Sequence, residues 1–321
     1  MIHIQFLKNE INSNSSDDDI LRICAIPVPA KKRRQKSENG EKHISVPPSS
    51  SVDVQCRPTI VVSNIHRSLS ISAMLNLGRS LDKELTPVEM FTFDIGSQAW
   101  SAVPTKIKFM IEEKEFAEGG FRLAFNASSS CRGFTGKWVM KNHKEETLTE
   151  IERLNQDVEQ QARKCIQMNS LAKYLAELFK KQVEELVSNF GEVLVYNEVF
   201  LGRLPSGDFV TFERFLEGTF DKYINNTGVP CTGPGGEKDL LVKKAECFVH
   251  FTHEKSKHEL MVVDIQGIKY QLCDPEVATT TLRRNGEFLF CAGNLSEYAI
   301  AKFKEQHECN EYCVAVGLGK L

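Results

Sequence analysis

The sequence predicts an α+β protein, in which an antiparallel N-terminal sheet and a long helix are followed by a mixed C-terminal lobe. Short β-like runs separated by glycine-containing turns begin near Met90. Residues 147–189 then contain no Gly or Pro and are rich in Glu, Gln, Lys, Leu and Ala, which predicts helix. Further strand-like runs follow from Val193, and this order of elements predicts two lobes.

Composition and charge narrow the class of protein. The chain has 321 residues, of which 41% are apolar, and a formal net charge of −3. This near-neutral balance argues against general binding to nucleic acid or to an anionic membrane. No apolar run is long enough to span a membrane, and the N-terminus lacks the apolar segment of a signal peptide. We therefore expect a cytosolic or nuclear protein whose ten cysteines are buried thiols or metal ligands rather than disulfides.

Residues 1–85 differ in composition from the rest of the chain. Their polar, acidic and Pro/Ser-rich segments predict a disordered or weakly ordered tail. The basic cluster at residues 31–36 (KKRRQK) is either a solvated segment or a nuclear-import signal. A nucleic-acid-binding module that uses this cluster is a further reading, which the single basic run and the net charge disfavour. The folded domain then covers residues 86–321, with an N-terminal lobe over about 86–212 and a C-terminal lobe over about 213–321.

A glycine pair and a lysine are the candidate phosphate-binding features of the N-terminal lobe, whose strands we predict at residues 105–111, 121–125 and 137–141. Gly119 and Gly120 let backbone N–H groups approach an anion, and the guanidinium of Arg122 can contact two phosphate oxygens. The alternative is a plain turn. Lys141 ends the last of these strands and shares a face with Val139, so it points inward toward a nucleotide or protects a sheet edge.

The long helix and the strands after it complete the predicted layout. An apolar stripe at three- and four-residue spacing predicts that the helix packs on the sheet and ends at Gly191. Two strands follow at residues 193–201 and 209–215, and the intervening residues 205–208 (PSGD) predict a hairpin turn. The stripe consists of Ile166, Leu171, Leu175, Leu178 and Val183.

Three oxygen-bearing side chains mark a second predicted hairpin. Residues 259–264 and 268–273 read as its strands, with the turn around Gln266 and Gly267. Asp264, Gln266 and Asp274 would then converge at the end of a sheet. Such a cluster suits Mg²⁺ and phosphate chemistry, because a hard cation prefers oxygen ligands. A surface hairpin with solvated acids is the alternative.

A candidate metal site lies near the C-terminal end of the sequence. His307, Cys309 and Cys313 form an H-x-C-x₃-C pattern, and on a helix the two cysteines would share a face one turn apart. A fourth ligand is needed for a closed zinc site, and His250, His253 and His258 are equally eligible by sequence. Three buried residues at chance spacing are the alternative.

An ordered set of short motifs runs along the chain. The motifs are FAEGGFR (116–122), WVMK (138–141), ERFLEG (213–218), FVHFT (248–252), VVDIQG (262–267), CDP (273–275), GNL (293–295) and HECNEYC (307–313). Each motif is weak alone, and their order makes the set specific. Taken together, they resemble the atypical α-kinase family, which includes elongation-factor kinases, myosin heavy chain kinases and channel-fused kinases, and the resemblance covers about residues 99–318.

The resemblance implies a two-lobed kinase-like fold, a serine/threonine protein kinase activity with ATP and Mg²⁺, and a role for each motif. Lys141 is similar to the lysine that binds the nucleotide phosphates, and Gly119, Gly120 and Arg122 are similar to the phosphate loop. The segment from Glu213 to Leu216 resembles the hinge that meets adenine. Asp264 matches the catalytic aspartate, and Gln266 with Asp274 matches the magnesium-binding pair. His250, His307, Cys309 and Cys313 match the four zinc ligands of the family, so the resemblance implies a structural Zn²⁺ site within the C-terminal mixed lobe.

Two departures from the family pattern leave a second function open. Cys291 and Ser296 stand where family members commonly have glycine, and residues 142–166 look longer than usual. A pseudokinase that binds a nucleotide or a partner without transferring phosphate is therefore the alternative. The expected partner of an active enzyme is a protein substrate.

Overall fold

The protein is described here by a computed structural model, which covers residues 85–321 except residues 154–156, 234, 282, 285–286, 289 and 291–294. The predicted tail over residues 1–84 lies outside the described residues. The strands are β1 Leu85–Phe91, β2 Phe93–Asp94, β3 Ala99–Trp100, β4 Thr105–Glu118, β5 Arg122–Ser129, β6 Gly136–His143, β7 Val195–Tyr196, β8 Val199–Arg203, β9 Phe209–Arg214, β10 Asp221–Lys222, β11 Leu260–Val263, β12 Gln266–Ile268, β13 Gln271–Cys273, β14 Glu276–Thr279, β15 Arg283–Arg284 and β16 Glu287–Phe288. The helices are α1 Glu145–Arg153, α2 Val158–Leu186, α3 Glu237–Lys255, α4 Glu297–Gln306 and α5 Glu311–Val316.

The N-terminal strands form a closed antiparallel barrel in the order β1-β4-β5-β6-β9-β8. An antiparallel sheet was expected, and the closure arises because β8 returns to pair with β1. Aromatic rings fill the interior: Phe109 stacks on Phe212 at 4.5 Å and meets Trp138 edge-on at 5.6 Å. Because β9 continues to Arg214, the boundary predicted near residue 212 falls inside a barrel strand.

The region without Gly or Pro forms two helices, α1 and α2. Asp157 caps α2 by accepting a hydrogen bond from the Glu159 backbone N–H at 2.9 Å. All members of the predicted stripe are buried except the partly buried Leu178, but only Ile166 packs with the barrel sheet and the others lie in the C-terminal core. The prediction that Gly191 ends the helix is wrong, because the helix ends at Leu186 and Val187 caps it.

Helix α2 connects the barrel to the C-terminal core. Its first half packs against the barrel, where Ile166 is clustered with Leu201. Its second half packs against α3, and the ring of Phe179 lies 5.0 Å from Phe251 and 5.6 Å from Phe248. Within the described ranges, no helix is both long enough and apolar enough to cross a membrane.

The second predicted hairpin is paired differently from the expectation. Strand β11 pairs with β14, with Leu260 opposite Thr279, whereas β12 and β13 form their own hairpin. The chain leaves β11 at Asp264, whose left-handed φ of 52° breaks the strand. Gln266 and Gly267 therefore lie in a strand and not in the turn, which is formed by Lys269 and Tyr270.

Close backbone packing in this hairpin predicts a large effect of Gly267→Ala. A Cβ atom at this position would lie 2.1 Å from the Gln271 carbonyl oxygen and 2.8 Å from the Leu272 Cα atom. We expect the free energy of unfolding to fall by about 3 kcal/mol, because backbone atoms cannot move aside cheaply. Urea unfolding measures the change. The control is Gly96→Ala, whose Cβ would make only an ordinary contact at 3.6 Å, and equal stability of the two variants would contradict the prediction.

Candidate active site and metal centre

The candidate active site begins with Lys141 on β6, which has β5 and β9 as its two neighbours. Lys141 is therefore not on a sheet edge, and its side chain is largely buried. Its Nζ atom lies 2.5 Å from Glu213 Oε1 and 3.5 Å from Asp274 Oδ2. The lysine thus joins two carboxylates that come from the barrel and from the end of β13.

Arg122 reaches the same carboxylate from the β4–β5 hairpin. Its guanidinium pairs with Asp274 Oδ1 and also lies 3.5 Å from Thr211 Oγ1. The glycine pair forms the tight turn before it, where the Gly119 N–H donates to the Arg122 carbonyl at 2.8 Å. A Cβ atom on Gly120 would meet no described atom within 4 Å, so the loop backbone is open to an approaching group.

Asp264, Gln266 and Asp274 converge as the sequence predicted, although by a different strand pairing. Gln266 Nε2 donates to Asp264 Oδ2 at 2.9 Å and to the Asp274 carbonyl at 3.2 Å. Lys222, which sequence reasoning missed, donates from Nζ to Asp264 Oδ1 at 2.7 Å. Only the pairing of β10 with β12 brings this lysine to the site, and no local motif marks it.

The two aspartates have opposite pKa shifts. Burial alone would raise the pKa of Asp274, but Arg122 and Lys141 outweigh burial and hold this pKa well below its ordinary value. Burial raises the pKa of Asp264, and its bond to Lys222 only partly opposes this effect. Burial also acts to lower the pKa of Lys141, but Asp274 and Glu213 raise it above the ordinary value. Asp274 is thus a persistent anion, and Asp264 is the more basic carboxylate. Opposite pKa shifts of this kind are typical of catalytic carboxylate pairs.

The predicted hinge and one wall of the cleft come from β9 and α2. The Glu213 side chain forms an ion pair with Lys141, and the half-buried Leu216 lies just beyond the end of β9. A cavity beside Lys141 is also lined by Cys165 and Asn169 of α2, which sequence reasoning missed. Asn169 donates to the Asn197 carbonyl at 2.8 Å, which fixes the helix against the loop before β8.

The four predicted zinc ligands come together beside α3. One ligand atom from each of His250, His307, Cys309 and Cys313 lies within 4.8 Å of the other three. Cys309 Sγ is 3.7 Å from His250 Nδ1, and Cys313 Sγ is 3.6 Å from His307 Nε2. Two thiols and two imidazoles at these separations fit a tetrahedral zinc ion.

The structure distinguishes between the three candidate histidines and corrects one expectation. His253 and His258 stack on each other at 4.7 Å, and the His253 Nδ1 atom faces the Leu260 carbonyl at 3.3 Å. Neither of them belongs to the cluster, so the geometry selects His250. The expectation that both cysteines share a helix face is wrong, because Cys309 precedes α5 and Asn310 caps that helix.

The buried His253 is expected to lower the free energy of unfolding in mild acid. Burial lowers its pKa from the ordinary 6.5 to about 4, and Lys304 and His258 add smaller contributions in the same direction. Between these two pH values the unfolded chain binds the proton more readily, so stability falls as pH decreases through this window. We expect a loss of about 2 kcal/mol between pH 6.5 and pH 5 from this group.

Thermal unfolding of His253→Gln over the same pH range measures this contribution. The variant should lose less stability in acid than the wild type. His258→Asn removes only one of the smaller contributions to the lowered pKa of His253, so it should keep most of the acid sensitivity. Parallel pH profiles for wild type and His253→Gln would contradict the assignment.

Of the two residues that differ from the family's glycines, Ser296 lies within the described residues. Ser296 has a φ of 53°, in the left-handed region that glycine adopts at least cost. Its hydroxyl donates to the Thr279 carbonyl at 2.9 Å, which ties it to the end of β14. Cys291 lies outside the described residues.

A barrel joined to a mixed lobe, with a lysine–aspartate cleft between them, is the architecture of an α-kinase domain. The backbone matches the crystal structure of the alpha-kinase domain of myosin heavy chain kinase A in complex with ADP, with a TM-score of 0.60 and 22% identity over 74% of this chain and 98% of that one. The alpha-kinase family model matches residues 117–313, and the chain belongs to this family.

Curated relatives agree with this assignment. Myosin heavy chain kinase B of Dictyostelium discoideum is 30% identical over 223 residues, which is 69% of this chain and 27% of that protein. Human transient receptor potential cation channel subfamily M member 6 is 34% identical over 125 residues, which is 39% of this chain and 6% of that protein. The chain thus spans about a quarter or less of the length of these two relatives.

Proposed function

We propose that the protein is a serine/threonine protein kinase that transfers the γ-phosphate of Mg²⁺-ATP to a hydroxyl group of a protein substrate. One observation supports this most directly. The Asp274 carboxylate is contacted by Arg122 and Lys141 from the barrel, and Gln266 connects Asp274 to Asp264. Two cations, a persistent anion and a more basic carboxylate therefore meet at a single point in the cleft.

Each of these side chains has a role that its charge permits. Lys141 and Arg122 would exchange part of their contact with Asp274 for phosphate oxygens, because both are cations already oriented into the cleft. Asp264 would accept a hydrogen bond from the substrate hydroxyl and orient or deprotonate it. Lys222, at 2.7 Å from Asp264, would hold that carboxylate in position.

Magnesium would be held by Asp274 and Gln266. The fit is supported by the donor set, since an ionised carboxylate and an amide oxygen are ligands that a hard cation prefers. When bound, the ion supplies neutralisation of the phosphate charge that develops during transfer. The adjacent Lys141 and Arg122 would share that task with it.

Zinc would be held by His250, His307, Cys309 and Cys313 as a structural ion. These ligands come from α3, from the residue after α4, from the turn before α5 and from α5 itself. A single ion would therefore cross-link three helices of the C-terminal lobe. Such a site contributes directly to folding stability.

A scaffold that binds nucleotide or a partner without phosphate transfer is the second candidate function. The specific observation is Ser296, which adopts a left-handed conformation in a segment where family members commonly have glycine. A side chain in that conformation stores backbone strain of about 1–3 kcal/mol and would hinder closure of the segment.

The proposal is tested by incubating the purified full chain with γ-labelled ATP, Mg²⁺ and a generic basic protein, followed by phosphoamino-acid analysis. We expect label on serine or threonine in the wild type and none in Asp264→Asn. The control Asp208→Asn, an exposed turn residue, should retain transfer. A folded wild type that binds nucleotide and shows no label would favour the scaffold.

A further inference from the structure

The outer nitrogen of each imidazole in the metal cluster faces a carboxylate of helix α3. His250 Nδ1 faces the thiols, and its Nε2 atom lies 3.8 Å from Glu254 Oε2. His307 Nε2 faces Cys313, and its Nδ1 atom lies 3.8 Å from Glu246 Oε1. Both histidines therefore present one nitrogen inward and one nitrogen to an acid.

The Glu246 contact is the more informative of the two. The His307 side chain is fully buried, and its Nδ1 atom has no hydrogen-bond partner among the described residues. A buried imidazole nitrogen without a partner is costly, and Glu246 is the carboxylate placed to satisfy it. A shift of less than about 1 Å would close the 3.8 Å gap to hydrogen-bonding distance.

A third α3 side chain contacts a sulfur ligand. Cys247 is fully buried, and its thiol lies within hydrogen-bonding reach of the Cys313 sulfur. A thiol that donates to a metal-bound thiolate would spread the charge of that ligand. Cys247 lies outside the four-residue cluster itself, and no motif in the sequence marked it.

The spacing along α3 explains how one helix can provide all of these contacts. Glu246 lies four residues before His250 and Glu254 four residues after it, so the three share a helix face. Cys247 is one residue from Glu246 and borders the same face. Glu254 also accepts the Gly319 backbone N–H at 3.0 Å, which holds the carboxylate toward the cluster.

We infer that Glu246, Cys247 and Glu254 form an outer layer of the zinc site, in which they orient three of the four ligands and thereby set the affinity for the ion. This inference rests on the proposed zinc site. Carboxylates that hydrogen-bond to a metal-ligating histidine fix the ring orientation and strengthen the ligand. The three residues act through the ligands and are positioning residues for the metal.

The zinc dissociation constant, measured on the full chain by competition with a chromophoric chelator, tests the inference. We expect Glu246→Ala to weaken binding by about 10–100-fold, as is typical of such outer partners. The Glu254 side chain is 43% exposed and that of Glu246 is 16% exposed, so Glu254→Ala should have the smaller effect. Cys247→Ala should weaken binding as well.

Two conservative variants separate orientation from misfolding. Glu246→Gln keeps an acceptor oxygen and should recover part of the lost affinity, whereas Glu237→Gln, on the exposed first turn of the same helix, should leave the affinity unchanged. Substitution with Co²⁺ adds a spectroscopic readout, because the thiolate charge-transfer band reports whether two sulfurs still bind. A variant that retains this band is folded around the site.

The outcomes separate this inference from the zinc site on which it rests. If the wild type binds zinc, and Glu246→Ala, Cys247→Ala and Glu254→Ala all bind it with wild-type affinity, the outer layer is contradicted and the zinc site stands. If the wild type binds no zinc, both are contradicted. A larger loss of affinity in Glu246→Ala than in Glu254→Ala, with no loss in Glu237→Gln, supports the outer layer.

Discussion

The Asp274→Ala variant is expected to lose phosphate transfer by a factor of about 10³ or more, a loss typical of removing a group that organises charge in phosphoryl transfer. Asp274 faces Arg122 and Lys141 and adjoins Gln266 through its own carbonyl. Its removal would delete the proposed magnesium ligand and leave two cations without their shared anion. ATP should still bind, because the freed cations can contact its phosphates.

Measuring transfer and nucleotide binding on the same preparation makes this prediction specific. Labelled-phosphate transfer reports the chemistry, and fluorescence titration with a nucleotide analogue reports binding. Asp208→Ala, which changes an exposed aspartate in the turn before β9, is the matched control and should behave as the wild type. Transfer retained in Asp274→Ala would refute the role assigned to this residue.

The Cys313→Ala variant is expected to lose zinc and to be less stable than the wild type. Cys313 is fully buried in the C-terminal core and lies 3.6 Å from His307 Nε2, so its loss opens the cluster and removes a packed side chain. We expect a loss of at least about 3 kcal/mol, which corresponds to a Tm lower by about 6–12 °C.

Metal content by mass spectrometry and thermal unfolding together test this expectation. Cys131→Ala changes a partly buried cysteine of the barrel lobe and should preserve both the zinc content and the Tm. Adding a strong chelator to the wild type should reproduce the instability of Cys313→Ala. Wild-type stability in Cys313→Ala would mean that the cluster is not a structural metal centre.

Around Asp264, sequence patterns predicted the strands but not the pairing between them. Residues 259–264 and 268–273 had the composition of strands, and strands do occur there. Their partners could not be read from composition, because the left-handed backbone at Asp264 diverts the chain from the β11 pair to the β12 hairpin. The three side chains nevertheless converge, since Gln266 bonds to both aspartates.

Helix boundaries and caps show a similar limit. The apolar stripe predicted that the helix packs on the sheet, but only Ile166 clusters with barrel residues and the rest of the stripe lies in the C-terminal core. The helix also stops at Leu186 and not at Gly191. Gly191 has a φ of 76° and lies against Lys244, so the glycine allows the conformation of the loop after the helix and does not end the helix. A turn signal near a helix does not state which residue ends it.

The sequence by itself determined the α+β class, which depends on local periodicity and composition. Its ordered motifs carried the resemblance to the family, and the resemblance indicated the residues for phosphate and zinc chemistry. Only the tertiary structure decided which groups meet. It brought His250, which the family resemblance had already indicated as the fourth ligand, to the other three, and it closed the sheet into a barrel. It also brought Lys222 to Asp264 and Glu246 to His307. These contacts join residues far apart in the chain, and they form only when the hydrophobic cores bury the elements that carry them.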